Sequence, residues 1–347
     1  MTLFPTADEM SKVELRGVWK IFGPNPEYVL ESMDRGASQS EIMSQTGHVV
    51  AVRDVSLEIG QGEVFVVMGL SGSGKSTLVR CLSRLIEPTA GQVIIDNADV
   101  TAMDAQQLRN LRRHTVSMVF QRFGLFPHRR IIDNVSYGLE VQGINVAERQ
   151  TKAREVLDLV GLNGWEYHYP HELSGGMQQR VGLARALAVD PEIMLCDEPF
   201  SALDPLIRRD MQNELLNLQK TLRKTIIFIT HDFLEAIKLG DRVAIMKDGK
   251  IVQIGTSQEI VAHPVNDYVL KFTQDVPRAK VLTAASIMRP ANGKHTPGGE
   301  TVRYDTTLEK LIPQISIGAG LLLVVDDEGS VIGELDRHTV LMALGEG

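Results

Sequence analysis

Cysteine is scarce in this chain: Cys81 and Cys196 are the only two in 347 residues. So few thiols leave no disulfide framework to rely on, and a reduced, cytosolic setting is the simplest reading. Cys196, in the apolar run "IMLCDEP", reads as a small buried strand residue, and neither cysteine is given a chemical role. Positive charge is also short. A formal net charge of -8 and a pI near 5.6 lack the electrostatic footprint of a general nucleic-acid binder. No apolar run approaches the roughly 20 residues that a membrane helix needs. The opening "MTLFPTADEM" lacks the charged-then-apolar build of a signal peptide. If the protein works at a membrane, another chain must span it.

What is present is ordinary for a folded chain, with 43% hydrophobic and 23% charged residues, and the length suits one large unit plus an appendage. The dense apolar runs "EVFVVMG", "IMLCDE" and "TIIFITHD" each precede a loop and a helix-like pattern, predicting parallel strands buried on both faces of an α/β sheet. "VELRGVWKIF" and "AVRDVSLEI" alternate as antiparallel strands do, so a mixed sheet is expected. Asp204 reads as a helix N-cap with Pro205 in the first turn. Asp248 and Gly249 suit the tight turn of a hairpin. Residues 122–188 change texture to a helical insert. Residues 23–47 form a second insertion with one helix candidate, "EIMSQTG", and no evident role. From about Pro277 a small β-α-β-β-α unit begins.

Gly69 to Ser76, "GLSGSGKS", satisfy G-x-x-x-x-G-K-S between a predicted strand and a predicted helix, the context a phosphate loop requires. Gly69, Ser71, Gly72, Ser73 and Gly74 offer backbone N–H groups to phosphates, the glycines permitting close approach, and the helix N-terminus adds a favourable dipole. Lys75 is assigned to the β and γ phosphates, Ser76 to Mg²⁺ and Thr77 to the α-phosphate region. Asp197, ending a strand, would hold Mg²⁺ through water, and Glu198 would polarise the attacking water as general base. Ser174, Gly175 and Gly176 of "LSGGMQ" open another helix and a second anion site. Two such helix ends serve one γ-phosphate only by facing each other across an interface, which points to a dimer.

In order, the motifs at 69–76, Gln121, 173–177, 193–197, Glu198, 201–204 and His231 resemble the ATP-binding subunits of ABC transporters, over residues 13 to about 275. The resemblance implies a P-loop ATPase cassette. Its core would be 1–121 with 189–276, a mixed sheet with an antiparallel β edge; its helical subdomain, carrying the signature, would be 122–188. It implies a homodimer holding two ATPs, each between the phosphate loop of one copy and the signature residues Ser174, Gly175, Gly176 and Gln178 of the other. Asp204 would communicate across the dimer, His231 would touch the γ-phosphate, and Gln121 would sense Mg²⁺ and a transmembrane partner. Phe22 matches the family's adenine-stacking position, with Trp19 as its rival.

The insertion after the first strand, "MVFQRFGLFPHR" and "FSALDPLIRRDMQNEL" look like the quaternary-amine importers for glycine betaine, proline betaine or choline, with trimethylamine N-oxide or histidine as the cargo of related systems. The resemblance then implies a peripheral protein on the cytoplasmic face of the inner membrane, working with a permease and a substrate-binding protein and without nucleic acid. Residues following Gln121, including Phe123, Leu125 and Phe126, would receive a helix of the permease as well as pack the helical insert. Residues 277–347 resemble a single CBS module where the group has a pair. Thr339 stands where a ribose-binding aspartate is expected, and seven basic against nine acidic residues from Arg278 onward leave the tail near neutral. A structural or dimerising remnant is the rival to a regulatory module. The opposing functional class, a soluble ABC ATPase of DNA repair or translation, usually carries tandem cassettes or a long coiled coil, and neither is found in this sequence.

Overall fold

The computed structural model describes residues 11–34, 39–121, 124–291, 300–317 and 320–345. The expectations for the first ten residues, for Phe123 and for most of the loop at 291–300 fall outside these. Contacts divide the chain into a unit of residues 1–235 and 239–251 and a unit of residues 236–238 and 252–347. The second unit thus begins earlier in the chain than the sequence boundary at Pro277.

The first unit holds two sheets. Strands β1 (Ser11–Phe22), β2 (Val49–Gly60), β4 (Ala90–Ile95) and β5 (Ala98–Asp99) form an antiparallel sheet ordered β2-β1-β4-β5. They make a sheet of their own rather than an edge of the parallel one. The parallel strands are β3 (Val64–Met68), β6 (Val116–Val119), β7 (Ile193–Asp197), β8 (Thr225–Thr230) and β9 (Arg242–Lys247), in the order β9-β3-β8-β7-β6. Every residue of β3, β7 and β8 is buried, which explains why these strands are unbroken apolar runs without alternation. Between the two sheets lies a core built from Leu15, Val93, Phe65, Leu78, Leu195 and Ile227, among others. Strand β10 (Lys250–Gly255) follows β9 across Asp248 and Gly249, both at positive φ (49° and 78°), as the expected tight turn requires.

The helical insert contains helices at Ile131–Val135, Tyr137–Val141, Val146–Leu159 and Gly175–Ala188. Asn134, fully buried, accepts from the Phe126 N–H at 2.8 Å and donates to the carbonyls of Phe126, Arg129 and Arg130. Phe126 packs edge-on against Tyr137, so the packing role expected of it is present. Where the sequence pattern predicts one helix in the 23–47 insertion, two form, Glu27–Asp34 and Gln39–Thr46.

In the second unit, Thr256 and Glu259 form a capping box on the helix Ser257–Ala262, and Asn266 caps Asp267–Thr273. Its sheet comprises β11 (Arg289–Pro290), β12 (Thr301–Arg303), β13 (Leu321–Val325) and β14 (Val331–Asp336), ordered β11-β14-β13-β12. The segment "AASIMRP" is mostly the short helix Ala284–Ile287 and not a full strand. The β-α-β-β-α order runs instead from β12 through the helix Leu308–Ile317 to the helix Arg337–Gly345. Thr339 acts locally, its N–H and Oγ1 donating to Asp336 Oδ1 at 2.6 and 2.7 Å and tying down the start of the last helix.

Candidate active site

The C-terminal ends of β3, β8, β7 and β6, neighbours in the sheet, deliver the phosphate loop, His231, Glu198 and Gln121. An open cavity of about 680 Å³ collects them, lined by Phe22, Val49, Leu70, Lys75, Thr77 and Glu198, with Ser71, Gly72, Gly74, Ser76, Gln121 and His231. This is where open α/β sheets place ligands.

The loop conformation depends on its glycines at two positions of close approach. A Cβ on Gly69 would lie 2.2 Å from the Met246 carbonyl oxygen, and one on Gly74 would lie 2.1 Å from that of Ala51; both have positive φ, 153° and 103°. Gly74 then caps the helix Lys75–Leu82 without a side-chain hydrogen bond, and the first three residues of that helix line the cavity. The buried Lys75 ammonium donates to the carbonyls of Gly69 at 2.8 Å and Leu70 at 3.1 Å. Burial pushes its pKa below the ordinary lysine value, opposed by the nearby carboxylates of Glu198 and Asp197. Gly69 and Ser73 do not line the cavity; the Ser73 side chain is buried, its Oγ 2.8 Å from where a Gly69 Cβ would sit.

Asp197 is 2% exposed and receives two donors: Ser76 Oγ at 2.7 Å and Arg80 Nη2 at 3.0 Å. Arg80 was not anticipated from the motifs, although it lies one helical turn beyond Ser76, where i and i+4 side chains share a face. Glu198 adopts φ 45°, a left-handed conformation that costs a non-glycine residue about 1–3 kcal/mol and concentrates at functional sites. There its carboxylate stands 3.2 Å from His231 Nδ1, 3.4 Å from Gln121 Nε2 and 3.7 Å from Lys75 Nζ. Ser201 joins them, its Oγ donating to the Glu198 carbonyl at 3.0 Å and lying 3.4 Å from Gln121 Nε2. Among the described residues no group of three or more His, Cys, Asp or Glu could hold a metal alone. Ser76 with Asp197 behind it still fits Mg²⁺, which takes one or two protein ligands and completes its shell with phosphate and water.

Ser174, Gly175, Gly176 and Gln178 stand apart from this cavity. Ser174 caps the helix Gly175–Ala188 by accepting from the Met177 N–H. Gly176 packs where a Cβ would meet Ile207 Cγ2 at 2.5 Å. The Gln178 amide donates to the carbonyls of Pro170 and Leu173, so it holds its own turn together. Asp204 caps the helix Pro205–Leu222 through the N–H groups of Leu206 and Ile207.

A phosphate loop, a strand-end carboxylate pair, a histidine and a glutamine now meet in one cavity, and residues 52–201 match the family model described as ABC transporter. The chain belongs to the ABC transporter family, as an ATP-binding cassette. It is 53% identical to the glycine betaine transport ATP-binding protein OpuAA of Bacillus subtilis, over 93% of this chain and 75% of that protein. It is 48% identical to the trimethylamine N-oxide transport system ATP-binding protein TmoW of Ruegeria pomeroyi, over 95% of this chain and 96% of that one. Among solved structures, a dimeric ATP-binding cassette in a post-hydrolysis state with ADP and Pi superposes with a TM-score of 0.60, at 33% identity, over 71% of this chain and 98% of that one. The fold is therefore the expected cassette, and the activity is that of an ABC transporter ATPase. These relatives support the transporter reading over the DNA-repair or translation class. Among the described residues no helix is long and apolar enough to cross a membrane.

Proposed function

We propose that two copies of this cassette close on two ATP molecules and drive a separate permease to import a methylated amine of the glycine betaine, proline betaine or choline type. The observation that carries the dimer is the separation within one chain: the signature residues, with a capped helix N-terminus of their own, do not line the phosphate cavity. A second copy supplies them in trans, as helix ends favour anions. The dimeric cassette bound to ADP and Pi is the structural relative that supports this arrangement. The cargo reading rests on relatives whose names carry glycine betaine, carnitine, choline and trimethylamine N-oxide.

In this account Lys75 and the loop N–H groups hold the β and γ phosphates, Phe22 stacks the adenine, and Ser76, Gln121 and Asp197 would hold Mg²⁺. Bound Mg²⁺ would neutralise charge developing on the phosphates. Glu198 takes the proton of the attacking water, and His231, hydrogen-bonded to Glu198, orients that carboxylate and contacts the γ-phosphate. Asp204 links the two sites, and the surface after Gln121 receives the permease at the cytoplasmic face of the membrane. A substrate-binding protein delivers cargo from the other side. The test is to purify the tagged chain from its own membranes in mild detergent. A stoichiometric permease, and ATPase activity that rises with the binding protein and one methylated amine, is the expected result. A chain that carries no membrane protein and hydrolyses ATP indifferently to these amines would contradict the proposal.

A further inference from the structure

The insertion at residues 23–47 is the element for which the sequence suggests no role. Its two helices are anchored. Val29 and Ile42, 1% and 2% exposed, form a small core with Ile21 and Val50, against which Trp19 and Leu30 pack. Ile21 pairs with Val50 across β1 and β2, and the next pair is Phe22 with Val49. Side chains alternate along a strand, so the insertion's core occupies one face of this ladder end while Phe22 and Val49 line the nucleotide cavity on the other. Lys20 Nζ sits 5.0 Å from the centroid of the Phe22 ring, a cation–π contact on one side of a ring that remains 42% exposed.

One side chain fastens the two ends of the insertion together. His48, buried to 6% exposure, places Nε2 2.7 Å from the Pro24 carbonyl oxygen and Nδ1 2.9 Å from Thr46 Oγ1. A carbonyl only accepts, so Nε2 carries a proton and donates it. Pro24 lies at the start of the insertion and Thr46 at its end. Gly23 makes room for the ring: a Cβ there would lie 2.3 Å from His48 Cδ2.

We infer that His48 is a positioning residue for the base of the bound nucleotide, clasping the insertion shut and so fixing the Phe22–Val49 wall against which the base stacks. The inference rests on the reading that this cavity takes ATP. It concerns the base and not the phosphates, whose ligands sit on the separate loop after β3.

That division supplies the test. The full-length chain is titrated calorimetrically with ATP and with tripolyphosphate, which offers the phosphates without a base. His48→Ala is expected to weaken ATP about tenfold, the scale of a lost stacking contact, and to leave tripolyphosphate within about twofold, since the phosphate contacts are untouched. Gly23→Ala, which displaces the ring without deleting it, gives the same split and serves if His48→Ala fails to fold. Equal loss for both ligands, or unchanged ATP affinity in both variants, overturns the inference. A wild-type chain that binds neither ligand overturns the nucleotide-site reading itself, and this inference with it.

Discussion

His231 Nδ1 stands 3.2 Å from Glu198 Oε2, so the histidine after β8 and the carboxylate after β7 share one hydrogen bond. Residues that act through a single contact give non-additive losses. Glu198→Gln is expected to retain ATP binding and to slow turnover by about 10²–10⁴-fold, the usual worth of a general base. Adding His231→Ala to it should cost less than His231→Ala costs alone, the remainder being the γ-phosphate contact of His231. Steady-state turnover of the two single variants and the double variant checks this, and fully multiplicative losses would separate their roles.

The trans arrangement predicts complementation. A Lys75→Met chain lacks a working phosphate loop, and a Ser174→Arg chain lacks a working signature. Each homodimer should be nearly inactive, because both of its sites carry a defect. Mixed dimers hold one site with neither defect, and activity should reappear on mixing. No recovery, with dimers present in the mixture, would contradict the trans site.

Arg80 supports the buried Asp197 from a partly exposed position, its side chain 43% exposed against 2% for its partner. Solvent screening discounts the pair, so Arg80→Ala should lower stability by only about 1 kcal/mol. The larger effect falls on Asp197, left with Ser76 as its remaining side-chain donor. The Mg²⁺ concentration needed for half-maximal turnover should rise, and an unchanged Mg²⁺ dependence would make Arg80 a purely structural partner.

Asp336 gives a pH prediction. The Thr339 N–H and then its hydroxyl hold the carboxyl below the ordinary carboxylate range. A depressed folded-state pKa stabilises at pH values above the unfolded value, near 4, and that contribution disappears as pH falls through the depressed value. At neutral pH, Asp336→Ala should cost about 1 kcal/mol, as for a lost helix cap. The wild-type advantage should vanish in denaturant titrations at strongly acid pH. An advantage that persists there would mean the carboxylate charge is not its source.

Local chemistry made much of the site readable. The phosphate loop, the apolar β7 ending in Asp197, the Asp204 cap and the Asp248–Gly249 turn each depend on residues close in sequence, and each appears where the pattern puts it. What escaped depends on distant partners. The helix Glu27–Asp34 is only two turns long and owes its place to Val29 packing on Ile21 and Val50, tertiary support that propensity does not reveal. The three-residue strand Thr301–Arg303 exists through its parallel partner Leu323–Val325. Ser73 belongs to the phosphate-loop motif, yet its side chain is buried and does not line the cavity, because the motif specifies backbone approach more than hydroxyl placement.

The most direct measurement is uptake of labelled glycine betaine, proline betaine and choline into proteoliposomes holding this cassette with the permease that accompanies it and its binding protein, with ATP supplied on the cassette side. ATP-dependent accumulation of at least one of these amines, abolished by Glu198→Gln, is the predicted result. ATP hydrolysis without accumulation of any of them, in an assembly that is otherwise complete, would contradict the proposed function.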